Sequence, residues 1–160
     1  MELANEALGQ QVWQSLLKAH ALVLRMLERD LQEQAELPLT WFGILADLAG
    51  TPDGQLRMQA LAECAQLSRS GMTRLIDRME HAGLVRREPC EADRRGYNAI
   101  MTRQGRKQLE RAVPVVCAGI RQHFAQYLDT SDLDTVEAAM TKVIAAHSDS
   151  STESECLDDG

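Results

Sequence analysis

The chain has 160 residues, a net charge of −7 and only 4% aromatic residues. That length can bury one sizeable core, and a composition rich in Leu, Ala, Arg and Glu suits a mostly helical protein. No apolar run approaches the length of a membrane span, and Met1-Glu2-Leu3-Ala4-Asn5-Glu6 lacks the basic start and apolar stretch of a signal peptide, so a reducing cytoplasm is the expected compartment. The four cysteines, Cys64, Cys90, Cys117 and Cys156, form no C-x-x-C pair. His81 and His123 show no ligand spacing with them, so neither a metal nor a cofactor is expected.

In chain order, Trp13, Leu16, Leu17, His20, Leu24, Leu27 and Leu31 recur at helical spacing and predict a long first helix. Pro38 and Thr40 open a second helix that ends near Gly50, and Thr51-Pro52-Asp53-Gly54 is a turn. Gln55-Leu56-Arg57 reads as a short strand. Met58 to Ala65 is a short helical run whose small residues, Ala60, Ala62 and Ala65, let two helices cross closely; Cys64 on its apolar face reads as a small core residue. Gln66-Leu67 then turns into a further helix, without the glycine often found in such turns.

That helix starts at Ser68, a good N-cap because its hydroxyl can accept from a free first-turn amide. Met72, Leu75, Ile76 and Met79 make its buried stripe. Arg69, Ser70, Thr73 and Arg74 fall mostly off the stripe in the first two turns, and Arg78 sits one turn beyond Arg74. Gly71 costs roughly 1 kcal/mol against alanine in a helix interior and suits a close backbone approach. Gly83 is a C-terminal stop.

Leu84 to Glu88 and Tyr97 to Thr102 read as two strands, joined by a loop too long for a two-residue hairpin and tipped by Asp93-Arg94-Arg95-Gly96. Arg94 and Arg95 suit phosphate contact or a narrow minor groove, with Asp93 placed to orient Arg95. Arg86 and Arg87 serve equally well as further contacts or as salt bridges of the sheet; Asp77 reads as structural and Tyr97 as packing. Thr102 caps a long helix carrying Leu109, Val113, Val116, Cys117, Ile120, Phe124 and Leu128, with a bend expected at Pro114. Asp129 to Asp132 breaks the pattern, and a last helix carries Leu133, Val136, Met140, Val143 and Ile144. From Ser148 the chain is acidic and Ser-rich, and disorder is expected.

A capped helix bearing arginines at one-turn spacing, followed by a ribbon with an arginine tip, suits a helix that enters a DNA major groove beside a wing on the adjacent backbone or minor groove. The charge is divided accordingly: Ser68 to Arg111 holds 11 Arg and Lys against 6 Asp and Glu, and the remainder 6 against 18. No glycine-rich phosphate loop, serine elbow or metal-protease motif points to an enzyme.

Leu39 to Leu109 resembles the MarR/SlyA family of winged-helix regulators. The matching pieces are Leu-Thr-Trp-Phe-Gly-Ile-Leu (39–45), Ser-Arg-Ser-Gly-Met-Thr-Arg-Leu-Ile-Asp-Arg-Met-Glu (68–80), Gly-Leu-Val-Arg-Arg (83–87), Asp-Arg-Arg-Gly (93–96) and Met-Thr-Arg-Gln-Gly (101–105), in the same order and spacing. Cys90 departs from the pattern, at a place that often holds proline or a polar residue. The resemblance implies an obligate, roughly triangular homodimer that represses or activates genes and often responds to small phenolic ligands or oxidants.

The expected fold is therefore mostly α with a small β-wing: an N-terminal dimerisation helix (1–34), a winged helix-turn-helix domain (35–104), C-terminal dimerisation helices (105–147) and an acidic tail (148–160). The apolar faces of the first and last helices have no partner in the small winged domain, and pairing across a two-fold axis is the economical solution. The expected function is a sequence-specific regulator, a repressor on a pseudo-palindromic operator, with double-stranded DNA as partner and Ser68, Arg69, Ser70, Thr73, Arg74, Arg78, Arg94 and Arg95 as contacts. Trp13, His20 and Trp41 are candidates for a small aromatic effector between the lobes, or else for core packing. Cys90, near Arg86, Arg87 and Arg94, is the candidate for a redox input instead. A winged helix that binds protein rather than DNA is the remaining alternative.

Overall fold

The computed structural model describes the backbone of residues 2–90 and 93–148 and the side chains of residues 6–90 and 96–147. Its elements in order are α1 (Glu2–Ala35), α2 (Leu39–Ala49), β1 (Gln55–Arg57), α3 (Met58–Cys64), α4 (Arg69–His81), β2 (Val85–Cys90), β3 (Asp93–Met101), α5 (Arg103–His123), a 3-10 turn (Ala125–Tyr127) and α6 (Thr130–Ser148). This is the mostly helical winged helix-turn-helix arrangement expected from the sequence. The acidic tail from Asp149 onward lies outside the described residues. No helix among those described is long and apolar enough to cross a membrane.

The chain divides into two compact units, Met1–Ile120 and Arg121–Gly160. In the first, the inner stripe of α4 (Met72, Leu75, Ile76 and Met79) joins Ile44, Leu45 and Leu48 of α2, Leu61 of α3, and Leu84 and Val85 in one buried cluster. Each large apolar side chain so buried contributes about 1.5–3 kcal/mol. Leu31 and Ala35 of α1 and Leu109, Ala112 and Val116 of α5 belong to the same cluster. The end of α1 and the first half of α5 are thus built into the winged-helix core. Further back, α1 leaves Leu8, Val12, Trp13, Leu16, Leu17, Leu22 and Leu24 exposed, and α5 leaves Val113 and Ile120 exposed. In the second unit, Asp129 and Asp132 cap α6 by exchanging backbone-to-carboxylate bonds of 2.9 and 3.2 Å, and α6 exposes Val136, Val143 and Ile144.

Three expectations are corrected. The long helix expected to run through Leu128 stops at His123, and a 3-10 turn follows. Cys64 is exposed rather than in the core; α3 is only two turns long, and its inward side is taken by Leu61 and Ala62. The wing strands also extend beyond Glu88 and Tyr97: β2 pairs antiparallel with β3 from Val85↔Met101 to Cys90↔Asp93, with a register shift between Pro89 and Cys90. Pro89 has no N–H for the ladder, and the shift lets pairing resume at Cys90, so only residues 91 and 92 separate the strands. β1 joins the other edge of β3 through Gln55↔Ile100 and Arg57↔Asn98, giving the order β1-β3-β2.

Candidate nucleic-acid interface

The helix-turn-helix is set by local chemistry. In the turn, Gln66 takes φ 52, the left-handed conformation in which glycine is the usual residue. The Ser68 hydroxyl then accepts from the Gly71 N–H at 3.1 Å, which makes Ser68 the N-cap of α4. The other end closes at Gly83, with φ 74, through Gly83 N–H to Glu80 O and Leu84 N–H to Met79 O, both 2.9 Å. This pair of bonds is a Schellman closure. A Cβ on Gly71 would meet the Ser68 hydroxyl at 3.2 Å and Leu67 Cβ at 4.0 Å, so the tight neighbour inside the protein is the cap itself.

With its apolar side buried, α4 turns Ser68, Arg69, Ser70, Thr73, Arg74 and Arg78 outward, all of them exposed. Arg69 Nη2 reaches Gln59 Oε1 at 3.5 Å, and the Thr73 hydroxyl donates to the Arg69 carbonyl at 2.9 Å. Arg74 and Arg78 enter no ion pair among the described residues, so their guanidinium groups are available to an incoming anion. The side chains of Arg94 and Arg95 lie outside the described residues; their backbone belongs to β3.

Arg86 and Arg87 are both committed within the protein. Arg86 pairs with Glu88 on its own strand. Arg87 lies 2.5 Å from Asp77 and 3.7 Å from Glu80, and it donates to the Thr73 carbonyl at 2.9 Å. Its N–H also donates to Glu80 at 3.0 Å. Arg87 therefore ties the wing to α4, and Asp77 has the structural part the sequence suggested. Between them, α3, α4 and the wing enclose a cleft of about 730 Å³ lined by Met58, Gln59, Arg69, Thr73, Arg87, Gly96 and Tyr97. Arg87 is held there by Asp77 and Glu80, which leaves the Arg69 guanidinium, bonded among the described residues only to the neutral Gln59 amide, as the group on its walls that suits an anion. Met58 and Gln59 were not legible as site residues, because α3 meets Arg69 only once the helices have folded together.

Trp13 and His20 are exposed on α1, seven residues apart and so about two turns along one side. Trp41 is half-buried on α2 against the core. At 1.5 Å per residue, Trp13 stands about 33 Å from the end of α1, where α2 begins. One chain therefore does not bring Trp13 and Trp41 together. Cys90 is buried, 8% exposed, and the guanidinium groups of Arg86 and Arg87 are engaged elsewhere. A second cavity, of about 350 Å³, is lined by Thr40, Gly43, Ile44, Asp47, Cys64, Ala65, Leu67 and Leu75. Burial raises the Asp47 carboxyl above its ordinary pKa. No cluster of His, Cys, Asp and Glu among the described residues could hold a metal ion.

Residues 35–96 match the sequence profile of the MarR family. AbsC, a MarR family transcriptional regulator from Streptomyces coelicolor, is 37% identical, and the match covers 86% of this chain and 92% of AbsC with a TM-score of 0.79. The chain belongs to the MarR family. Another family member, Sco3205 from Streptomyces coelicolor, has been crystallised in complex with DNA; it is 35% identical over 88% of each chain, with a TM-score of 0.79. The transcriptional regulator HosA of Escherichia coli is 31% identical over 83 residues, which are 52% of this chain and 60% of HosA. The match to this curated relative thus spans less than two thirds of its length.

Proposed function

We propose that this MarR-family chain is a homodimeric transcriptional regulator that reads a pseudo-palindromic operator, each subunit placing α4 in a major groove and its wing on the flanking backbone. The observation that carries the proposal is the outward face of α4, where Arg74 and Arg78 stand exposed and unpaired among the described residues beside the arginine-lined cleft. Support for a DNA partner comes from the 35% identity to Sco3205, crystallised with DNA. Support for the dimer comes from the exposed apolar residues of α1, α5 and α6. The finer part is repression relieved by a small aromatic ligand. Its support is Trp13, 58% exposed on α1, with His20 two turns along the same side. The burial of Cys90 weighs against oxidation as the input, since reactive thiols are accessible ones.

Selection of bound duplexes from a random pool tests the proposal and yields the site and its symmetry together. Arg74→Ala should then weaken binding to the selected duplex by about 1–3 kcal/mol, with loss of sequence preference, as expected for a bidentate base contact. Equal losses on selected and random duplexes would make Arg74 a phosphate contact. A protein that enriches no sequence and shows no salt-dependent duplex binding is not a DNA reader.

A further inference from the structure

The start of α5 is locked onto the C-terminal end of the recognition helix. The Thr102 hydroxyl donates to the Gly83 carbonyl at 2.6 Å, with the Leu84 carbonyl at 3.1 Å, and accepts from the Gly105 N–H at 3.0 Å. The Gln104 amide donates to the Ala82 carbonyl, at the end of α4, at 3.2 Å. Gly105 is buried, and a Cβ there would stand 2.1 Å from the Leu84 carbonyl oxygen, so the α5 backbone lies directly on the α4–β2 connection. One turn later, the Gln108 amide donates to the carbonyl of Ala35, the last residue of α1, at 2.6 Å. Carbonyls at a helix end lack intrahelical partners, and Gln108 supplies one. Gln104 and Gln108 are four apart and neighbours along one side of α5. One holds the end of the recognition helix; the other holds the end of α1.

We propose that Gln104 and Gln108 are positioning residues that set the half-site spacing this protein accepts on DNA. The inference rests on the homodimeric DNA-binding reading. If subunits pair through the exposed apolar residues of α1, the place of each recognition helix relative to the two-fold axis passes through the joint between α1, α5 and α4. Helices are stiff over this length, so the compliance lies in the joint. The lever is long: from Ala35 back to Trp13 is about 33 Å. A rotation of roughly 6° at the joint displaces the far end by about 3.4 Å, one base-pair step. The core packing of Leu31, Ala35, Leu109 and Ala112 sets the coarse angle of the joint, and the two side-chain hydrogen bonds at the pivot bias it between neighbouring spacings.

The test uses the full chain and a duplex selected from a random pool, with versions whose centre is one base pair longer or shorter and a duplex carrying a single half-site. The wild type should prefer the selected spacing. In Gln108→Ala the preference over the shifted spacings should fall roughly two- to tenfold, the range spanned by removal of one hydrogen bond, while half-site binding stays unchanged. Gln108→Arg, which keeps a donor for the Ala35 carbonyl, should restore the preference. Gln104→Ala, at an exposed position, should shift it in the same direction and serves if Gln108→Ala does not fold. Variants that lose affinity for all spacings by the same factor, or leave every spacing untouched, overturn the proposal. A monomeric wild type refutes the dimeric reading, whereas a dimeric wild type indifferent to spacing refutes the proposal alone.

Discussion

Two glycine-to-alanine substitutions in helices should move stability in opposite directions. A Cβ on Gly105 would lie 2.1 Å from the Leu84 carbonyl oxygen, 3.1 Å from its carbon and 3.2 Å from Leu45 Cδ2. The oxygen contact is more than 1 Å inside ordinary carbon–oxygen separation, roughly 3.4 Å. Relief requires α5 or the Gly83–Leu84 segment to move. That segment is held by Leu84 N–H to Met79 O at 2.9 Å and by the Thr102 hydroxyl. Overpacking of this kind costs about 1–3 kcal/mol and sometimes more, against a helix-propensity gain of about 1 kcal/mol. With backbone as the obstacle, the net expectation is a loss of about 2 kcal/mol, or a fall in Tm of roughly 4–8 °C for a chain of this size. Gly43, inside α2, meets nothing within 4 Å of an added Cβ, so Gly43→Ala keeps the propensity gain and should stabilise by up to about 1 kcal/mol. Urea denaturation followed by far-ultraviolet circular dichroism, at one fixed protein concentration because association contributes to stability, measures both. Wild-type stability in Gly105→Ala, or equal shifts of one sign in the two variants, would refute the packing argument.

Replacing Arg94 and Arg95 together with alanine should flatten the salt dependence of duplex binding by about 0.9 in log–log slope for each phosphate that is no longer neutralised; an unchanged slope removes the wing tip from the electrostatic interface. The protein should be dimeric at micromolar concentration with no stable folded monomer, and a monomeric mass by light scattering with helical content intact would contradict this. Asp47→Asn should be more stable than wild type near neutral pH and converge with it in acid. Burial raises the folded-state pKa of Asp47 above 3.8, so the folded protein holds that proton more tightly than the unfolded chain. The cost of ionising it emerges as pH climbs above about 3.8 and is complete above the raised value. Denaturation curves at about pH 3 and about pH 7 that show the same difference between variant and wild type at both would dismiss the burial penalty.

Features that depend on a few consecutive residues were legible in the one-dimensional chain. Ser68 as cap, Gly83 as stop and the Met72-Leu75-Ile76-Met79 stripe follow from hydrogen-bond valence and helical periodicity, which act within one or two turns. The outward arginines of α4 followed from the same periodicity, since fixing one side of a helix fixes the other. The strand at Gln55 to Arg57 was likewise legible, and its partner β3 came from the pattern of the wing. Features whose cause lies on another element were not. The use of Arg87 rests on Asp77, Glu80 and Thr73 across the α4–β2 gap. The necessity of Gly105 comes from the Leu84 carbonyl twenty-one residues earlier. The outward position of Cys64 depends on which side of α3 the core claims, and the turn before α4 offered no glycine, so the left-handed Gln66 could be known only from the chain it joins. Trp13, His20 and Trp41 share residue types that suit one pocket, yet within one chain the rise along α1 separates Trp13 from the helix end where α2, which carries Trp41, begins. Local sequence dictates which elements form and which way they face, because those energies are short-ranged; only the packed structure decides which side chains on different elements meet.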